Sequence, residues 1–526
     1  MRVLGIEGTA WAASAAVFDR TTGEIEMETI PYAPPAGGIH PREAAEHMSE
    51  AIPTVVESVL LEQGAIDAVA FSQGPGLGPC LRIVATAART IAQRLEVPLV
   101  GVNHMVAHLE IGRIQSGFDD PICLNASGAN AHVLGYQDGR YRMLGETMDT
   151  GIGNAIDKFT RALEWSHPGG PKVESRAVDG DYHPLPYVVK GMDFSFAGIT
   201  SAAIDAVEAG VPVEDVCCGI QETMFGMLTE VSERALSLTG RDELIIGGGV
   251  GQNSRLQVML ETMCADRGAT FFAPERRFLG DNAGMIAVLG AEMFASGETI
   301  TLEESQVCAD YRPDTVDITW YTNPDAFRPP TNGVQHGAEA EVTVKSDRIV
   351  KIRRPKRYRH PDLDARLRST RTATEARLTS VARQHGVSTP VILDIDLATA
   401  RLAIERVGGA DLRDAITVER AHEVGTMLAR LHAAGIVHGD PTPRNVRVAD
   451  DRLYLIDFGL GYHSDHTEDF AMDLHIFNES VSGTASHADQ YQQACESGYR
   501  TAGDPAVITR LREIERRGRY QARAEG

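Results

Sequence analysis

Residues 436–445 read Ile-Val-His-Gly-Asp-Pro-Thr-Pro-Arg-Asn, and residues 455–459 read Leu-Ile-Asp-Phe-Gly. An aspartate five residues ahead of an asparagine lets one loop present a base and a metal-binding group to the same phosphate, and a second aspartate before Phe-Gly adds to it. That order restricts the C-terminal part of the chain to a compact lobe pair built around a phosphoryl-transfer centre. The first 300 residues carry a different set of glycine loops and a His-x-x-x-His pair at 104 and 108. One chain therefore holds two nucleotide-handling modules of unlike design, and its function must explain why they are joined.

A length of 526 residues exceeds what one core usually organises, and the motif positions divide it into at least two domains. Acidic residues number 73 against 50 basic ones, and only six of the basic residues are lysine. A net charge of -23 keeps a protein hydrated in concentrated salt, where long-range repulsion is screened. We read it as the mark of a salt-loving cytoplasm. It does not exclude a nucleic-acid substrate, but any such contact needs a local arginine patch or partner proteins. The seven cysteines (Cys80, Cys123, Cys217, Cys218, Cys264, Cys308, Cys495) form no Cys-x-x-Cys pair, as expected of reduced cytoplasm. No run is apolar and long enough to span a bilayer, and Met-Arg-Val-Leu-Gly-Ile-Glu-Gly lacks a cleavable leader, so a soluble protein with no membrane role is expected.

Residues 3–6 and 13–18 are predicted strands either side of Glu7-Gly8-Thr9, with a turn over 19–23. Residues 69–71 and 99–102 are predicted buried strands around a helix over about 83–95; residues 122–126 and 133–136 pair around Ser127-Gly128-Ala129-Asn130. Residues 244–246 enter Gly247-Gly248-Gly249, a helix follows over 254–264, and Asp281 is predicted to cap a helix over 282–293. The stretch 324–336, with Pro324, Pro329, Pro330, Asn332 and Gly333, reads as a linker between domains 1–323 and 337–526. Beyond it, strands at 341–345, 348–352 and 391–395 and helices at 366–384 and 418–434 suit a small kinase-like lobe pair. The layout is mixed α/β throughout.

The N-terminal loops form a set: Gly-Ile-Glu-Gly-Thr at 5–9, Gly-Gly-Ile-His-Pro-Arg-Glu-Ala-Ala-Glu-His at 37–47, Gln-Gly-Pro-Gly-Leu-Gly-Pro at 73–79, Asn103-His104 through His108, Ser-Gly-Ala-Asn at 127–130, Gly-Asn-Ala-Ile-Asp-Lys at 153–158, His-Pro-Gly-Gly-Pro at 167–171 and Gly-Asp-Asn-Ala-Gly-Met-Ile-Ala at 280–287. Together, over roughly residues 1–323, they resemble the Kae1/TsaD/Qri7 family. The resemblance implies a two-lobed fold like actin and the sugar kinases. It also implies transfer of a threonylcarbamoyl group from threonylcarbamoyl-AMP to N6 of adenosine 37 in tRNAs that read ANN codons.

His104 and His108 stand at i and i+4, which puts both imidazoles on one helix face about 6 Å apart, where they share a cation or simply line the helix as polar residues. The resemblance adds Asp281 as third ligand of one metal, Fe2+ or Zn2+, orienting and polarising the donor anhydride. Where this chain has Asn125 the family often has a tyrosine as a further metal contact; asparagine is a weaker ligand, which leaves the fourth position open between Asn125, water and substrate. The resemblance also places the adenylate phosphate among the backbone N–H groups of Ser127, Gly128, Ala129 and Asn130. Asp157 is then expected on the ribose hydroxyls beside Gly170 and Glu174, residues 247–250 against the adenine, and Asn253 at its polar edge. Lys158 stays open between a phosphate contact and a surface ion pair.

Gly337-Ala-Glu-Ala-Glu341, Lys351, Tyr358-Arg-His-Pro-Asp-Leu-Asp364, Arg371-Thr-x-x-Glu375, His438-Gly-Asp440, Asn445, Asp457-Phe-Gly459 and Glu468-Asp-x-x-x-Asp-Leu-His475 resemble Bud32, a small atypical kinase/ATPase. The domain order makes the whole chain similar to the Kae1–Bud32 fusions of several archaea. The resemblance implies serine/threonine kinase or ATPase chemistry with ATP and Mg2+. Lys351 contacts the α/β phosphates and is held by Glu375, Asp440 is the base or orients the attacking group, and Asn445 and Asp457 hold Mg2+. The glycine-rich loop is replaced by Gly-Ala-Glu-Ala-Glu, His-Arg-Asp by His438-Gly439-Asp440, and no Ala-Pro-Glu segment is present, so no phosphorylated activation loop is expected. Pro441 and Arg444 stand where leucine and serine are usual.

The tail carries Arg510, Arg512, Arg516, Arg517, Arg519 and Arg523, either a grip on a phosphate backbone or a helix end paired with Glu513 and Glu515. The resemblance implies a KEOPS complex with tRNA, Pcc1-like and Cgi121-like subunits, and a Sua5/TsaC-like enzyme supplying the adenylate. The competing reading is a regulatory serine/threonine kinase whose first half is a nucleotide-gated binding module. A metalloprotease is disfavoured, because residues 105–107 are Met-Val-Ala and provide no general-base carboxylate.

Overall fold

In the computed structural model the described residues are 1–32, 34, 39–61, 64–137, 139–322, 339–449, 452–485 and 487–517. The linker expected over 324–336 lies outside them. β1 (Arg2–Glu7) and β2 (Ala12–Asp19) are apolar and buried on both faces, as strands covered by helices on both sides must be. With β3 (Glu24–Pro31) they form an antiparallel meander. α1 (Pro41–Leu60), β4 (Ala68–Gly74), α2 (Gly78–Leu95) and β5 (Leu99–Asn103) follow, and β4 and β5 add in parallel, giving the order β3-β2-β1-β4-β5. α2 begins five residues before the expected position, because Pro79 in its first turn gives up no hydrogen bond there.

The plan then repeats. After α3 (His104–Ser116), strands β6 (Ile122–Ala126), β7 (Ala131–Gln137) and β8 (Arg140–Glu146) form a second meander. Next come α4 (Ile152–Ala162), α5 (Gly170–Ala177), the short hairpin β9 (Val189–Lys190) with β10 (Asp193–Phe194), α6 (Ala197–Glu208) and α7 (Val213–Thr239). β11 (Glu243–Gly247), α8 (Ser254–Arg267), β12 (Thr270–Phe272), α9 (Arg276–Leu279) and α10 (Ala283–Ala295) complete the unit. The second sheet has the order β12-β11-β6-β7-β8, the same plan as the first. α3 and α10 share one core with residues of both sheets, including Val3, Val100 and Ile245. A Cβ on Gly5 would lie 2.6 Å from Ala283 O and Ala287 N, so only glycine lets α10 reach β1.

The C-terminal unit starts with β13 (Glu341–Val344), β14 (Arg348–Ile352) and α11 (Pro361–Gln384), whose first turn, at Pro361, precedes the expected start at 366. β15 (Ile392–Asp396) and β16 (Arg401–Glu405) complete an antiparallel sheet of order β13-β14-β16-β15. β17 (Ala410–Asp411), α12 (Val418–Ala433), β18 (Ile436–Val437), β19 (Val446–Ala449), β20 (Arg452–Leu455), β21 (Tyr462–His463), α13 (Thr467–Ser482), α14 (Ala488–Arg500) and α15 (Pro505–Arg517) form the rest. Leu428, Leu474, Tyr499 and Leu511 meet in its core. The described tail arginines are ion-paired: Arg510 with Glu468 and Glu513, and Arg512 with Glu496 and Glu515. Pairing within the helix end thus holds for these two, and residues 518–526 lie outside the described ones.

α7 fastens the units together. It is buried all round, charged residues included, since Glu230, Glu233 and Arg234 are each at most 8% exposed. The counter-charges come from the C-terminal unit: Arg359 (2.6 Å) and Arg371 (3.0 Å) on Glu230, and Lys356 (2.5 Å) on Glu233, which also accepts from the Tyr358 hydroxyl at 3.2 Å. Burial works against the Glu230 charge, but Arg371, Arg359 and Arg234 hold it ionised below the usual range. Removing one member of such a network leaves the others buried and uncompensated, at a cost of about 3–5 kcal/mol. Glu230→Ala should therefore lower unfolding stability by about that amount in denaturant titrations at fixed high salt. A loss below about 1 kcal/mol would show that the network is dispensable.

A second seam brings Glu146 at the end of β8 and Asp193 of β10 against α13, around two cavities that share Glu146 and His475; Asp193 lines one, and Glu479, Arg312, Asp314 and Glu515 line the other. Burial pushes Glu146 and Glu479 up to about 7 and raises Asp193. Folding thus favours their protonated forms, a contribution fully present below the unfolded carboxylate range and lost as pH rises through about 7. Glu479→Gln should flatten the decline in stability between pH 5 and 8 and exceed wild type by about 1–2 kcal/mol at pH 8. Parallel denaturation curves at the two pH values test this.

Candidate active sites in the two units

In the N-terminal unit, α3 begins directly where β5 ends. Asn103 caps it, accepting from the backbone N–H groups of Met105 (3.0 Å) and Val106 (3.1 Å), which fixes the first turn and His104 with it. The His104 and His108 rings are perpendicular, 4.8 Å apart, and their Nε2 atoms lie 3.4 and 3.5 Å from Asp281 Oδ1. One ligand atom from each of the three residues falls within 4.8 Å of the others. Asp281 is not the helix cap expected from sequence: Asn282 takes that place and accepts from Met285 N–H at 3.0 Å. Asp281 is left outside the helix, facing the histidines.

Behind His104, Nδ1 meets Glu7 Oε2 at 3.0 Å, and the other oxygen of Glu7 accepts from Thr9 N–H at 2.8 Å. This carboxylate holds the ring so that Nε2 turns to the cluster. Burial opposes a charged His104, but Glu7 and Asp281 outweigh it and push His104 up to about 10, while burial keeps His108 low. Asp281 is drawn down by His104 despite its own burial. The cluster thus attracts positive charge, and its donor set of two imidazole nitrogens and a carboxylate fits Zn2+ or Fe2+. Asn125 is fully buried on β6 beside it, with Nδ2 at 3.7 Å from Met105 Sδ and Oδ1 lacking a hydrogen-bond partner.

The loop 127–130 is a tight turn between β6 and β7. Ser127 N–H donates to Asn130 O at 2.9 Å, and Asn130 N–H to Ser127 Oγ at 3.1 Å, so two of the four N–H groups expected around a phosphate are used inside the loop. Gly153 N–H and Asn154 N–H, in the first turn of α4, donate to Ser127 O and Gly128 O, docking that helix under the loop. Asp157 on α4 accepts from Gly169 N–H at 2.8 Å and stands 3.3 Å from His167 Nδ1, and that ring stacks on Trp11. A Cβ on Gly170 or Gly249 would meet nothing within 4 Å, whereas Gly247 and Gly248 are held close to His108 O and Ala126 O. Open space for a ligand is therefore at Gly249, not along the whole glycine run.

Two residues expected at the ligand also hold helix ends. Glu174 accepts from Ser254 N–H at 2.8 Å, at the start of α8. Asn253 caps α8 through Oδ1, to Arg255 N–H (2.9 Å) and Leu256 N–H (3.2 Å), and donates from Nδ2 to Gln221 of α7 at 2.9 Å. Asn253 therefore has a capping and bridging role that sequence did not suggest. The cap needs an amide oxygen fixed toward the helix, which the motif alone did not disclose. Lys158 is exposed.

In the C-terminal unit the expected residues converge. Lys351 Nζ lies 3.1 Å from both Glu375 oxygens and 2.6 Å from Asp457 Oδ1. Asn445 Nδ2 donates to Asp440 Oδ2 at 2.9 Å and to Asp440 O at 2.8 Å. Burial, with Asp457 and Glu339 nearby, pushes Asp440 up to about 7 against the pull of Arg234. Asp457 holds a left-handed backbone, φ 64°, ahead of the fully buried Phe458, a strained geometry that aims its carboxylate at Lys351. Lys351, Asp440, Asn445 and Asp457 line one cavity of about 190 Å³ together with Arg234 and Ser237 of α7.

Several supporting residues were not singled out from sequence. Asp473 accepts from the N–H groups of His438 (2.7 Å) and Gly439 (2.8 Å) and faces His432 Nε2 at 3.0 Å, so it anchors the loop that bears Asp440. Arg353 pairs with Glu375 at 2.6 Å. Glu7 and His104 are 97 positions apart, and no local spacing could announce their contact.

The family profile described as TsaD, tRNA N6-adenosine threonylcarbamoyltransferase, matches residues 20–288. Over its whole length the chain is similar to proteins named "Probable bifunctional tRNA threonylcarbamoyladenosine biosynthesis protein". It is 62% identical to that of Halobacterium salinarum, with 99% of each chain covered. Identity is 61% to that of Haloarcula marismortui, covering 99% of this chain and 100% of the relative, and 52% to that of Methanospirillum hungatei, covering 98% and 99%.

If the cluster is a metal centre, His104→Ala should remove most bound metal, and Glu7→Gln should weaken binding about 10- to 100-fold by releasing the ring. Elemental analysis and competition with a chromogenic chelator read both, and full metal content in His104→Ala would overturn the ligand set.

Proposed function

The chain belongs to the family of bifunctional tRNA threonylcarbamoyladenosine biosynthesis proteins, and from that premise we propose that its two units, 1–323 and 337–526, divide an acyl transfer and a phosphoryl transfer between them. The observation that carries the first half is the convergence of His104 and His108 Nε2 on Asp281 Oδ1, in a buried site that Asn125 joins to the glycine loops. The substrate is threonylcarbamoyl-AMP, and the acceptor is N6 of adenosine 37 in tRNAs reading ANN codons. N6 bonds to the carbamoyl carbon, the bond from that carbon to the phosphate oxygen breaks, AMP leaves, and N6 loses a proton. A Zn2+ or Fe2+ ion held by His104, His108 and Asp281 would polarise and orient the anhydride.

The chain's own residues position the donor. With Ser127 and Asn130 N–H groups occupied, Gly128 and Ala129 are the loop donors left to meet the phosphate. Asp157 accepts from Gly169 N–H and stands beside His167, which leaves its carboxylate to meet the ribose hydroxyls beside the open face of Gly170. N6 of adenine is a poor nucleophile, so most of the acceleration comes from holding it against an activated donor.

The C-terminal unit is a kinase-like lobe pair that hydrolyses ATP with Mg2+. Lys351, tied to Glu375, binds the α/β phosphates, Asp440 orients the attacking group, and Asn445 and Asp457 are the Mg2+ ligands. Its partners are tRNA with Pcc1-like and Cgi121-like subunits of a KEOPS complex, and a Sua5/TsaC-like enzyme supplies the adenylate. Cytoplasmic location fits the acidic, arginine-rich composition, and no described helix is long and apolar enough to cross a membrane.

The full chain with its partner subunits, preformed threonylcarbamoyl-AMP and unmodified tRNA should yield threonylcarbamoyladenosine in a nucleoside digest, with ATP chiefly supporting turnover. Asp457→Asn should abolish ATP hydrolysis and leave adenylate binding unchanged. Phosphorylation of a partner with no modified nucleoside at any salt concentration would favour the regulatory-kinase reading instead.

A further inference from the structure

The C-terminal site contains a side chain that comes from the other unit. Arg234 of α7 reaches between Glu339 and Asp440: NH1 lies 3.6 Å from Asp440 Oδ2, and NH2 pairs with Glu230 at 2.9 Å and with Glu339. Its position is fixed from several sides. NH1 also donates to Gly191 O at 3.2 Å, and Gly191 N–H donates to Gly439 O at 2.7 Å, in the loop that bears Asp440. Further along α7, Ser237 O and Leu238 O accept from Arg444 at 2.7 and 3.0 Å. Helix and catalytic loop are thus locked together on both sides of Asp440.

Resting on the ATPase reading of this site, we propose that Arg234 is a catalytic residue for ATP hydrolysis, supplied in cis by the transferase unit. Asp440 orients the attacking group, so a guanidinium 3.6 Å from it stands on the attack side of the γ-phosphoryl group. In the loose transition state, negative charge spreads over the three equatorial oxygens of that group, and a planar cation with several donors suits them. The other lining cations have other tasks: Lys351 is paired with Glu375 and Asp457, and the Arg444 guanidinium faces the α7 carbonyls. Met192 and Leu238 line the same cavity of about 190 Å³, a volume that suits water as the attacking group. The water oxygen bonds to the γ-phosphorus as the bond from that phosphorus to the β,γ-bridging oxygen breaks. The electron pair leaves on ADP, the water's proton passes to Asp440, and inorganic phosphate is released.

The test uses the full chain. Arg234→Lys keeps the charge of the buried network but cannot present a planar fork. Steady-state hydrolysis should show kcat lower by roughly 10²-fold with KM for ATP unchanged, and Arg234→Gln should lose at least as much. ADP with aluminium fluoride, a mimic of the transferring phosphoryl group, should bind wild type more tightly than either variant, whereas ADP alone should bind all three equally. Circular-dichroism melting confirms that the variants fold. A hydrolysing wild type whose Arg234→Lys variant is equally fast or faster overturns the inference alone. A wild type no more active than Asp457→Asn overturns the ATPase reading and the inference with it.

Discussion

Glu230 is the charge on which the joining of the two units depends. It lies on a helix buried all round, and a lone carboxylate there would cost several kcal/mol. Its cations, Arg359 and Arg371, belong to the C-terminal unit. Arg371 continues to Glu339, Arg353 joins Glu339 to Glu375, and Lys351 joins Glu375 to Asp457. The packing of one unit on the other and the electrostatics of the phosphate site are therefore one problem with one solution. Undocking would strand charges on both surfaces.

α7 also touches the opposite site. Gln221 accepts from Asn253, which caps α8 beside the glycine turn, and Arg234 enters the C-terminal cavity. Gln221 and Arg234 are 13 steps apart, roughly 20 Å of rigid helix. This gives a physical reason for one chain to carry both modules: a single helix runs from the Asn253 cap beside the glycine turn to the cavity around Asp440, the two places proposed to hold nucleotides. The metal-type cluster depends on this scaffold only indirectly, through α3 and α10 held between the two sheets.

Much of the architecture was legible in local pattern. The strand pairs at both ends of the glycine loops and the helix carrying His104 and His108 follow from periodicity and spacing, because each depends on a few neighbouring residues, while the pairing of Lys351 with Glu375 follows from the resemblance to Bud32. Errors cluster where a polar side chain had two possible tasks. Asp281 and Asn282 are both competent caps, and only the packing of α10 on β1 decides that Asn282 caps while Asp281 faces the histidines. Asn253 and Glu174, expected at the ligand, also satisfy helix-end N–H groups, a task the motifs did not disclose. The arginine-rich tail looked basic, yet Arg510 and Arg512 are neutralised by glutamates, two of them from other helices.

The sequence by itself determined the chemical inventory: which imidazoles, carboxylates and cations are present, on which helix or turn, and the division into two modules. Those are properties of short stretches, governed by backbone geometry over a few residues. Tertiary structure decided which of these groups meet. Glu7 reaches His104 across 97 residues, Arg371 reaches Glu230 across 141, and Arg234 reaches Asp440 from another unit altogether. Such contacts arise because burying a charge is tolerable only beside its opposite, and that condition is imposed by the packed fold rather than by any local run of residues.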